Sequence, residues 1–178
     1  MEKVQIVGVG IHNITIDEGA VILQDHLQGR QLKTIYTPNS EILFDAVKDP
    51  EFERILNSGD LVIPDGIGVV IASKFYGKPL KERVAGYDLM NRLIEIAWSE
   101  EKSIYFLGGK PGVAEEAAAK IIEKYEGVKI SGVHDGYFQE EEEDEIINEI
   151  NYNNTDVLLV ALGAPRQEKW IFNNKEKL

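Results

Sequence analysis

Asp65 has the surroundings expected of a catalytic carboxylate. It follows the apolar run Leu61-Val62-Ile63 and Pro64, and it directly precedes Gly66. A carboxylate in such a turn can act as a general base that removes a proton from a hydroxyl group. The same position also suits the N-cap of a helix, a role that aspartate fills well. Local sequence taken alone slightly favours the cap.

Three further tight turns carry small or polar residues directly after apolar runs. They are Thr37-Pro38-Asn39, Gly108-Gly109-Lys110-Pro111-Gly112 and Gly163-Ala164-Pro165-Arg166-Gln167. Glycine lets a ligand approach the backbone, and the helix that follows each turn offers N–H groups to an anion. Together with the turn at Asp65, this pattern is typical of a site for a nucleotide diphosphate. Any single turn could equally be an ordinary connection between a strand and a helix.

Arginine and glutamine side chains near these turns could bind the same ligand. Arg83 lies in a short segment before a predicted helix, where its guanidinium could hold a phosphate through two hydrogen bonds. A surface ion pair is the commoner use of an arginine. Arg166 and Gln167 begin a predicted helix, from which each could reach a base, a sugar or a phosphate, or remain solvated.

Other ligand-binding motifs are incomplete in this sequence. The run Gly8-Val9-Gly10-Ile11-His12-Asn13 begins like a dinucleotide fingerprint, but Asn13 stands where the third glycine belongs. The turn from Gly108 to Gly112 lacks the Gly-Lys-Ser/Thr of a P-loop. The three histidines lack ligand spacing, and the chain has neither a cysteine nor an Asp-X-Asp pair. We therefore expect no metal, no cofactor and a metal-independent mechanism.

The elements that must position these residues alternate along the chain. Short apolar runs predict strands over residues 4–9, 34–37, 61–63, 103–107, 128–133 and 157–162. Helical periodicity predicts helices over residues 16–27, 40–47, 66–76, 87–98, 113–125, 140–151 and 165–174, with a further short helix from residue 50. This alternation predicts an α/β fold, a Rossmann-like, mainly parallel sheet with helices on both faces. Ligands in such folds bind at the carboxyl ends of the strands.

Composition narrows the class of protein further. The 178 residues carry a net charge of −12, which argues against a nucleic-acid partner and against docking of this chain alone to an anionic membrane. No signal-peptide pattern begins the chain, and no run approaches the roughly 20 apolar residues of a membrane span. No repeat or linker is evident, so we predict a single domain over residues 1–178.

Six segments, in order and over almost the whole chain, resemble the WecG/TagA/CpsF family of glycosyltransferases. The segments are Thr37-Pro38-Asn39, Asp65-Gly66-Ile67-Gly68-Val69-Val70, Arg83-Val84-Ala85-Gly86-Tyr87-Asp88-Leu89, Phe106-Leu107-Gly108-Gly109-Lys110-Pro111-Gly112-Val113-Ala114, Gly136-Tyr137-Phe138 and Leu162-Gly163-Ala164-Pro165-Arg166-Gln167-Glu168-Lys169-Trp170. No single segment is specific to the family, but the set is.

The resemblance implies an enzyme of bacterial surface-polymer synthesis that is cytoplasmic and peripheral on the inner face of the cell membrane. Members transfer a sugar from a UDP donor to an acceptor linked to undecaprenyl diphosphate. Overall similarity favours the TagA-like branch, in which N-acetylmannosamine passes from UDP to the 4-hydroxyl of lipid-linked N-acetylglucosamine during wall teichoic acid synthesis. The WecG-like branch instead uses an acidic mannosamine donor, UDP-ManNAcA, and no residue decides between the two.

The resemblance also implies roles for individual residues. Asp65 would take the proton from the acceptor 4-hydroxyl, and a single displacement would invert the anomeric centre. Tyr137 would pack against the uracil or the sugar, Gln167 would hydrogen-bond the donor, and Arg83 with the glycine-rich helix starts would stabilise charge on the departing UDP. The full set implied for substrate binding is Thr37, Asn39, Arg83, Gly108, Gly109, Tyr137, Gly163 and Gln167.

Two further expectations concern the extent of the domain and its oligomeric state. Family members usually continue several dozen residues past the position of Leu178, so the sequence predicts a glycosyltransferase domain without the C-terminal appendage. Its apolar helix faces permit a homo-oligomer without requiring one.

One rival hypothesis is a nucleotide-dependent oxidoreductase, which needs the glycine fingerprint that is absent here. The other is a non-catalytic nucleotide-binding domain, in which Asp65 would only cap a helix.

Overall fold

The computed structural model describes residues 1–29 and 31–178, with seven strands and eight α-helices in that part of the chain. The protein consists of two compact units. Unit 1 contains Met1–Leu93 and Glu168–Phe172, and unit 2 contains Ile94–Gln167 and Asn173–Leu178. The predicted α/β class with Rossmann-like parallel strands is confirmed. The assignment of residues 1–178 to one glycosyltransferase domain stays a prediction.

The order of elements follows the predicted alternation. Unit 1 contains β1 (Lys3–Ile6), β2 (Val9–His12), α1 (Ile16–Gln28), β3 (Ile35–Tyr36), α2 (Ser40–Lys48), α3 (Pro50–Asn57), β4 (Leu61–Val62) and α4 (Ile67–Phe75). Helix α5 (Gly86–Ser99) starts in unit 1 and ends in unit 2. Unit 2 continues with β5 (Ser103–Gly108), α6 (Val113–Lys124), β6 (Lys129–His134), a 3-10 turn (Glu140–Glu142), α7 (Glu143–Tyr152) and β7 (Val157–Ala161), before α8 (Arg166–Asn174). No helix among the described residues is both long and apolar enough to cross a membrane.

The predicted single strand over residues 4–9 is wrong, because this segment turns back on itself. Strands β1 and β2 form an antiparallel hairpin in which Lys3 pairs with His12 and Ile6 pairs with Val9. The turn consists of Val7 at φ 44° and Gly8 at φ 90°, and two positive φ values match the twist of a tight hairpin. A valine at positive φ is unusual, so the apolar run concealed the turn. Gly8 therefore forms part of this hairpin turn.

The parallel pair of unit 1 is fixed at its start by one carboxylate. Asp60 accepts hydrogen bonds from the Thr34 backbone N–H at 2.9 Å and from Lys33 Nζ at 3.0 Å. Burial acts to raise the pKa of the Asp60 carboxyl, but these hydrogen bonds outweigh burial and hold it below its usual range. The register that follows pairs Ile35 of β3 with Leu61 of β4.

Unit 2 starts its parallel sheet in the same way. Asp156 accepts hydrogen bonds from the Ser103 backbone N–H at 2.9 Å and from Lys102 Nζ at 3.1 Å. Burial again opposes these bonds, and again the pKa of the carboxyl is lowered. Ile104 of β5 then pairs with Val157 of β7. The runs Lys33-Thr34-Ile35-Tyr36 and Lys102-Ser103-Ile104-Tyr105 are thus equivalent strand starts, a similarity that the sequence interpretation missed.

The three strands of unit 2 are parallel in the order β6-β5-β7, and α6 and α7 pack against them. The chain passes from the central strand β5 to one neighbour and then crosses to the other side. Strand order therefore reverses at β5, and the carboxyl ends beside such a reversal are the usual ligand site of an open α/β sheet. Gly108 ends β5 at φ 131°, where a Cβ would overlap the carbonyl of Ala161 in β7.

Candidate functional site

Polar residues of unit 1 meet at the carboxyl edge of the β3–β4 pair. The backbone N–H of Ile63 donates to the carbonyl of Tyr36 at 3.0 Å, which continues the pairing one residue past β4. Because the two strands are parallel, Thr37 after β3 and Asp65 after β4 leave the sheet at the same edge. The sequence places both side chains there because Pro38 and Pro64 forbid further strand pairing.

Asp65 does not cap helix α4, so the cap interpretation that local sequence slightly favoured is wrong. The N-cap of α4 is Gly66 at φ 98°, and no side chain makes a cap hydrogen bond there. Asp65 lies one residue too early for the cap. Its backbone N–H donates to the carbonyl of Ile63 at 3.0 Å, and its half-buried carboxylate lies 4.0 Å from Nη2 of Arg83. This loose ion pair leaves the carboxylate oxygens accessible.

The segment that carries Arg83 is held by its backbone neighbours. The Val84 N–H donates to the Pro64 carbonyl at 3.2 Å, and the Lys81 N–H donates to Oδ1 of Asn13 at 2.8 Å. The side chain of Arg83 is 53% exposed. A fixed backbone with an exposed cationic tip beside Asp65 is suited to binding an anionic group, although an exposed pair at 4.0 Å contributes little to stability.

Thr37 and Asn39 lie close to two glycines of the neighbouring segments. A Cβ on Gly86 would lie 3.2 Å from the side chain of Thr37, and one on Gly66 would lie 3.6 Å from Cβ of Asn39. Asn39 is the N-cap of α2, since its Oδ1 accepts from the backbone N–H groups of the first helical turn at 3.0 Å. We call Thr37, Asn39, Asp65 and Arg83 the Asp65 cluster.

A pocket of about 640 Å³ opens in unit 2 at the carboxyl ends of β5, β6 and β7. No acidic residue lines it, although the whole chain has a net charge of −12. Lys110 and Arg166 supply cationic groups, and Tyr137, a residue that is 69% exposed, supplies an aromatic ring. The lining residues are Gly109, Lys110, Gly136, Tyr137, Phe138, Gln139, Ala161, Leu162, Gly163 and Arg166.

The loop that carries Tyr137 is held by hydrogen bonds along its backbone. Oδ1 of Asp135 accepts from the Tyr137 N–H at 2.7 Å, which closes a turn directly after β6. The Gly136 N–H donates to the carbonyl of Gly109 at 2.9 Å and ties this loop to the one after β5. The tyrosine side chain is therefore presented to the pocket from a constrained backbone.

Arg166 clamps the same loop from the other side. Its Nη1 donates to the carbonyl of Gly136 at 2.7 Å, and its Nη2 donates to the carbonyl of Phe138 at 3.3 Å. The guanidinium also lies 4.8 Å from the centre of the Phe138 ring. Two of its donors are thus bound to the protein. This positioning contact is a use of Arg166 that the sequence interpretation did not consider.

The predicted binding residues of unit 2 differ in their relation to the pocket. Gly109, Tyr137 and Gly163 line it, whereas Gly108 and Gln167 are not among the lining residues. Gly108 allows the close approach of β5 to β7. Oε1 of Gln167 accepts from the Gly163 N–H at 3.1 Å, so Gln167 shapes the turn after β7. Whether these residues contact a substrate stays a prediction.

Sequence reasoning missed three residues of this pocket and its loop. The sequence indicates Lys110 only as part of a glycine-rich turn and predicts no role for Asp135 or Phe138. An aspartate directly after a predicted strand is a signal for a side-chain-stabilised turn, which could have identified Asp135. Residues 1–29 and 31–178 contain no cluster of three or more His, Asp or Glu side chains that could hold a metal ion. The expected metal-independent mechanism stays a prediction.

A parallel sheet with a pocket at the carboxyl ends of its strands is the usual arrangement of ligand-binding α/β proteins. Within that class the chain belongs to the WecG/TagA/CpsF family of glycosyltransferases, whose family model matches residues 4–178.

Curated relatives cover most of this chain. A protein of Bacillus spizizenii is 40% identical over 137 residues, which is 77% of this chain and 52% of the relative. One of Bacillus subtilis is 36% identical over 169 residues, covering 92% and 65%, and one of Staphylococcus aureus is 27% identical over 177 residues, covering 98% and 69%. All three are named N-acetylglucosaminyldiphosphoundecaprenol N-acetyl-β-D-mannosaminyltransferase. The chain spans about half to two thirds of the length of these relatives.

Proposed function

We propose that this protein is an inverting, metal-independent glycosyltransferase. It transfers N-acetylmannosamine from UDP-N-acetylmannosamine to the 4-hydroxyl of N-acetylglucosamine on undecaprenyl diphosphate, as in synthesis of the wall teichoic acid linkage unit. Family membership and the names of three relatives support this assignment. The structural observation that carries it is the acid-free pocket lined by Lys110, Tyr137 and Arg166.

The pocket of unit 2 suits the UDP part of the donor. Its volume of about 640 Å³ lies within the usual range of small-molecule sites. Tyr137 offers an exposed ring for stacking on uracil, and Lys110 offers a cation for the diphosphate. Gly109 and Gly163, both at positive φ, expose backbone to the ligand without an intervening side chain. Acidic side chains would repel a diphosphate, and the lining contains none.

Asp65 is the proposed general base. Its carboxylate makes no cap hydrogen bond, so its oxygens can accept the proton of the acceptor 4-hydroxyl as that oxygen attacks the anomeric carbon. The bond between the anomeric carbon and the UDP oxygen breaks, and UDP leaves with the electron pair. One displacement inverts the configuration. We propose that Arg83 stabilises the negative charge on the departing UDP. Thr37 and Asn39 are proposed to orient the substrate.

The acceptor named for the relatives carries a polyprenyl chain, so the proposed reaction takes place at a membrane surface. We accordingly propose a cytoplasmic protein that is peripheral on the inner face of the cell membrane. A homo-oligomer is compatible with the proposal and is not needed for the chemistry of Asp65.

Transfer of UDP-ManNAcA by the same pocket is the second candidate within the family. Its donor carries a further carboxylate, which needs an additional cation beside the sugar. Competition between the two UDP sugars for the same site distinguishes these donors. A non-catalytic domain would bind the nucleotide but would release no UDP when donor and acceptor are both supplied.

The first experiment is a calorimetric titration of the chain with UDP and, separately, with NAD, each with and without magnesium. We expect UDP to bind with the same affinity in both buffers and NAD not to bind. Tyr137→Ala should weaken UDP binding about tenfold, because stacking on one base contributes roughly 1–3 kcal/mol. Tyr152→Ala is the matched control, since Tyr152 is 86% exposed on α7 and does not line the pocket. Binding of NAD without UDP would contradict the proposal.

A further inference from the structure

Two consecutive residues of the connection between α4 and α5 are bound to the start of α1. The backbone N–H of Lys81 donates to Oδ1 of Asn13 at 2.8 Å, and its ammonium donates to the Glu18 carboxylate at 2.6 and 2.7 Å. The half-buried carboxylate of Glu82 accepts from the Ile16 backbone N–H at 2.5 Å, although 66 residues separate the two. This connection is therefore fixed by a helix that lies far earlier in the chain.

Glu82 adds a long-range contact to the capping of α1. The first N–H groups of a helix have no acceptor within the helix itself. Thr15 supplies one acceptor, because its Oγ1 accepts from the Glu18 N–H at 3.2 Å. Glu82 supplies another for Ile16, the first residue of α1. The positive end of the helix dipole also favours a carboxylate at this place.

Arg83 stands between two fixed positions of the backbone. On one side Glu82 is bound to α1, and on the other side the buried Val84 donates its N–H to the Pro64 carbonyl at 3.2 Å. Pro64 directly precedes Asp65, so the second contact joins this segment to the turn that carries the proposed base. The exposed guanidinium, with Nη2 4.0 Å from Oδ1 of Asp65, thus extends from a backbone that is held on both sides.

The charge of Glu82 is compatible with an anion at the neighbouring Arg83 because of where its carboxylate is bound. A carboxylate beside a phosphate-binding arginine would repel the phosphate unless its charge were offset. The Glu82 carboxylate is bound at the N-terminus of α1, where the partial positive charge of the helix offsets it. The same hydrogen bond therefore fixes the backbone before Arg83 and reduces the repulsion.

We propose that Glu82 is a positioning residue for Arg83. By accepting from the Ile16 N–H, Glu82 fixes the backbone from which the guanidinium meets the negative charge that develops on the departing UDP. This inference rests on the proposed function of Arg83. A preorganised cation lowers the barrier because it needs no rearrangement during the reaction, and a misplacement of about 1 Å can cost roughly a hundredfold in rate. Glu82 acts through its neighbour and is not a catalytic residue.

The first measurement is turnover of UDP-N-acetylmannosamine with the lipid-linked acceptor by variants of Glu82 and Arg83. Glu82→Ala should lower kcat about ten- to hundredfold with KM unchanged, because Arg83 acts on charge that develops in the transition state. Glu82→Gln should keep kcat within about threefold of the wild type, because its side-chain carbonyl can still accept from the Ile16 N–H. Adding Glu82→Ala to Arg83→Ala should cause no further loss of kcat.

Thr15→Ala is the matched control, because it removes a different cap of the same helix. It should lower the melting temperature without changing kcat per folded molecule. Equal losses of kcat in Thr15→Ala and Glu82→Ala would show that Glu82 only stabilises α1. Equal losses in Glu82→Gln and Glu82→Ala would show that the charge of Glu82 matters and the hydrogen bond does not. Either result would overturn the proposal.

Amide hydrogen exchange measures the positioning without any substrate. Glu82→Ala should raise the exchange rates of the Lys81 and Val84 N–H groups about tenfold or more, because both belong to the segment that Glu82 fixes. Glu82→Gln and Thr15→Ala should leave both rates unchanged. Unchanged rates in Glu82→Ala would overturn the proposal. Absence of turnover by the wild type would instead contradict the proposed function, and the exchange rates would then decide the role of Glu82 by themselves.

Discussion

Two aspartates next to prolines in unit 1 have different roles because their spacing from the following helix differs by one residue. Asp49 is the N-cap of α3, and its Oδ1 accepts from the backbone N–H groups of Glu51 and Phe52 at 3.0 and 3.1 Å. A hydrogen bond from Lys169 further holds the pKa of the Asp49 carboxyl below its usual range. Asp65 precedes the N-cap Gly66 and makes no such bond. Its carboxylate is therefore available for chemistry.

Substitution of these two aspartates should separate activity from stability. Asp65→Asn should lower turnover about 10²–10⁴-fold through loss of the base, while UDP affinity and the melting temperature stay unchanged. Asp49→Ala should lower the melting temperature by a few degrees through loss of the cap, with turnover per folded molecule unchanged. Turnover, calorimetry and thermal melts measure these effects. Full activity of Asp65→Asn would contradict its role as the base.

His12 should make the stability of the protein depend on pH. Its ring is buried, and Nδ1 accepts from the Val62 N–H at 2.9 Å, which links β2 to β4. Burial and the charge of Lys3 lower the pKa of His12 below its usual value of about 6.5. The unfolded chain therefore takes up a proton at a pH where the folded chain does not. This contribution is complete above about pH 6.5 and is lost as the pH falls toward the folded-state pKa.

Urea unfolding between about pH 5 and 7.5 measures this effect. The His12→Gln variant should be less stable at neutral pH and should show a weaker loss of stability on acidification. Identical pH dependence in the two proteins would mean that other groups control acid unfolding.

At the scale of elements, the loops after β5, β6 and β7 form the pocket because each is tied to its neighbour. The Gly109 N–H donates to the Ala161 carbonyl at 3.0 Å, and the Gly136 N–H donates to the Gly109 carbonyl at 2.9 Å. Arg166 on α8 holds the carbonyls on both sides of Tyr137. The pocket therefore depends on contacts between loops that are distant in sequence.

Arg166 should affect nucleotide binding through Tyr137. Arg166→Lys removes the paired hydrogen bonds to the Gly136 and Phe138 carbonyls and should weaken UDP binding about tenfold. In a Tyr137→Ala background the same change should have a smaller effect, because the ring that it positions is already absent. Calorimetry on the four proteins gives the coupling energy. Additive losses would indicate that Arg166 binds the nucleotide independently.

Gly108 should be essential for the approach of β5 to β7. Gly108→Ala places a Cβ against the Ala161 carbonyl and should destabilise the protein by more than about 3 kcal/mol. Gly112→Ala is the matched control: Gly112 also has a positive φ, 89°, but its added Cβ would meet nothing within 4 Å. Its cost should be about 1 kcal/mol. Equal losses in urea unfolding would show that backbone strain alone explains both.

At the scale of the whole molecule, the excess of 31 acidic over 19 basic residues should make stability depend on salt. Raising NaCl from about 0.02 to 0.2 M screens repulsion between like charges and should raise the melting temperature. Changing Glu140 and Glu141 to Gln removes two exposed charges and should reduce this increase. A melting temperature that falls with salt would instead show that attractive ion pairs dominate.

Local patterns predicted the order of helices and parallel strands and the turns at their ends, because these depend on periodicity and on proline or glycine at fixed positions. The hairpin was missed because Val7 adopts a positive φ that its side chain disfavours. The clamp of Arg166 on Gly136 was missed because 30 residues separate the two in sequence. The role of Asp65 depended on a one-residue offset from the helix start, which falls within the usual uncertainty of helix boundaries.

The chain passes between its two compact units more than once. Residues Glu168–Phe172 belong to unit 1, although the residues on both sides of them belong to unit 2. Among them, Lys169 donates to Asp49 at 3.0 Å, so a piece of the gene encoding only residues 1–93 would lack that contact. Neither unit corresponds to one uninterrupted stretch of coding sequence. Recombination at a single crossover therefore cannot exchange one unit between relatives intact.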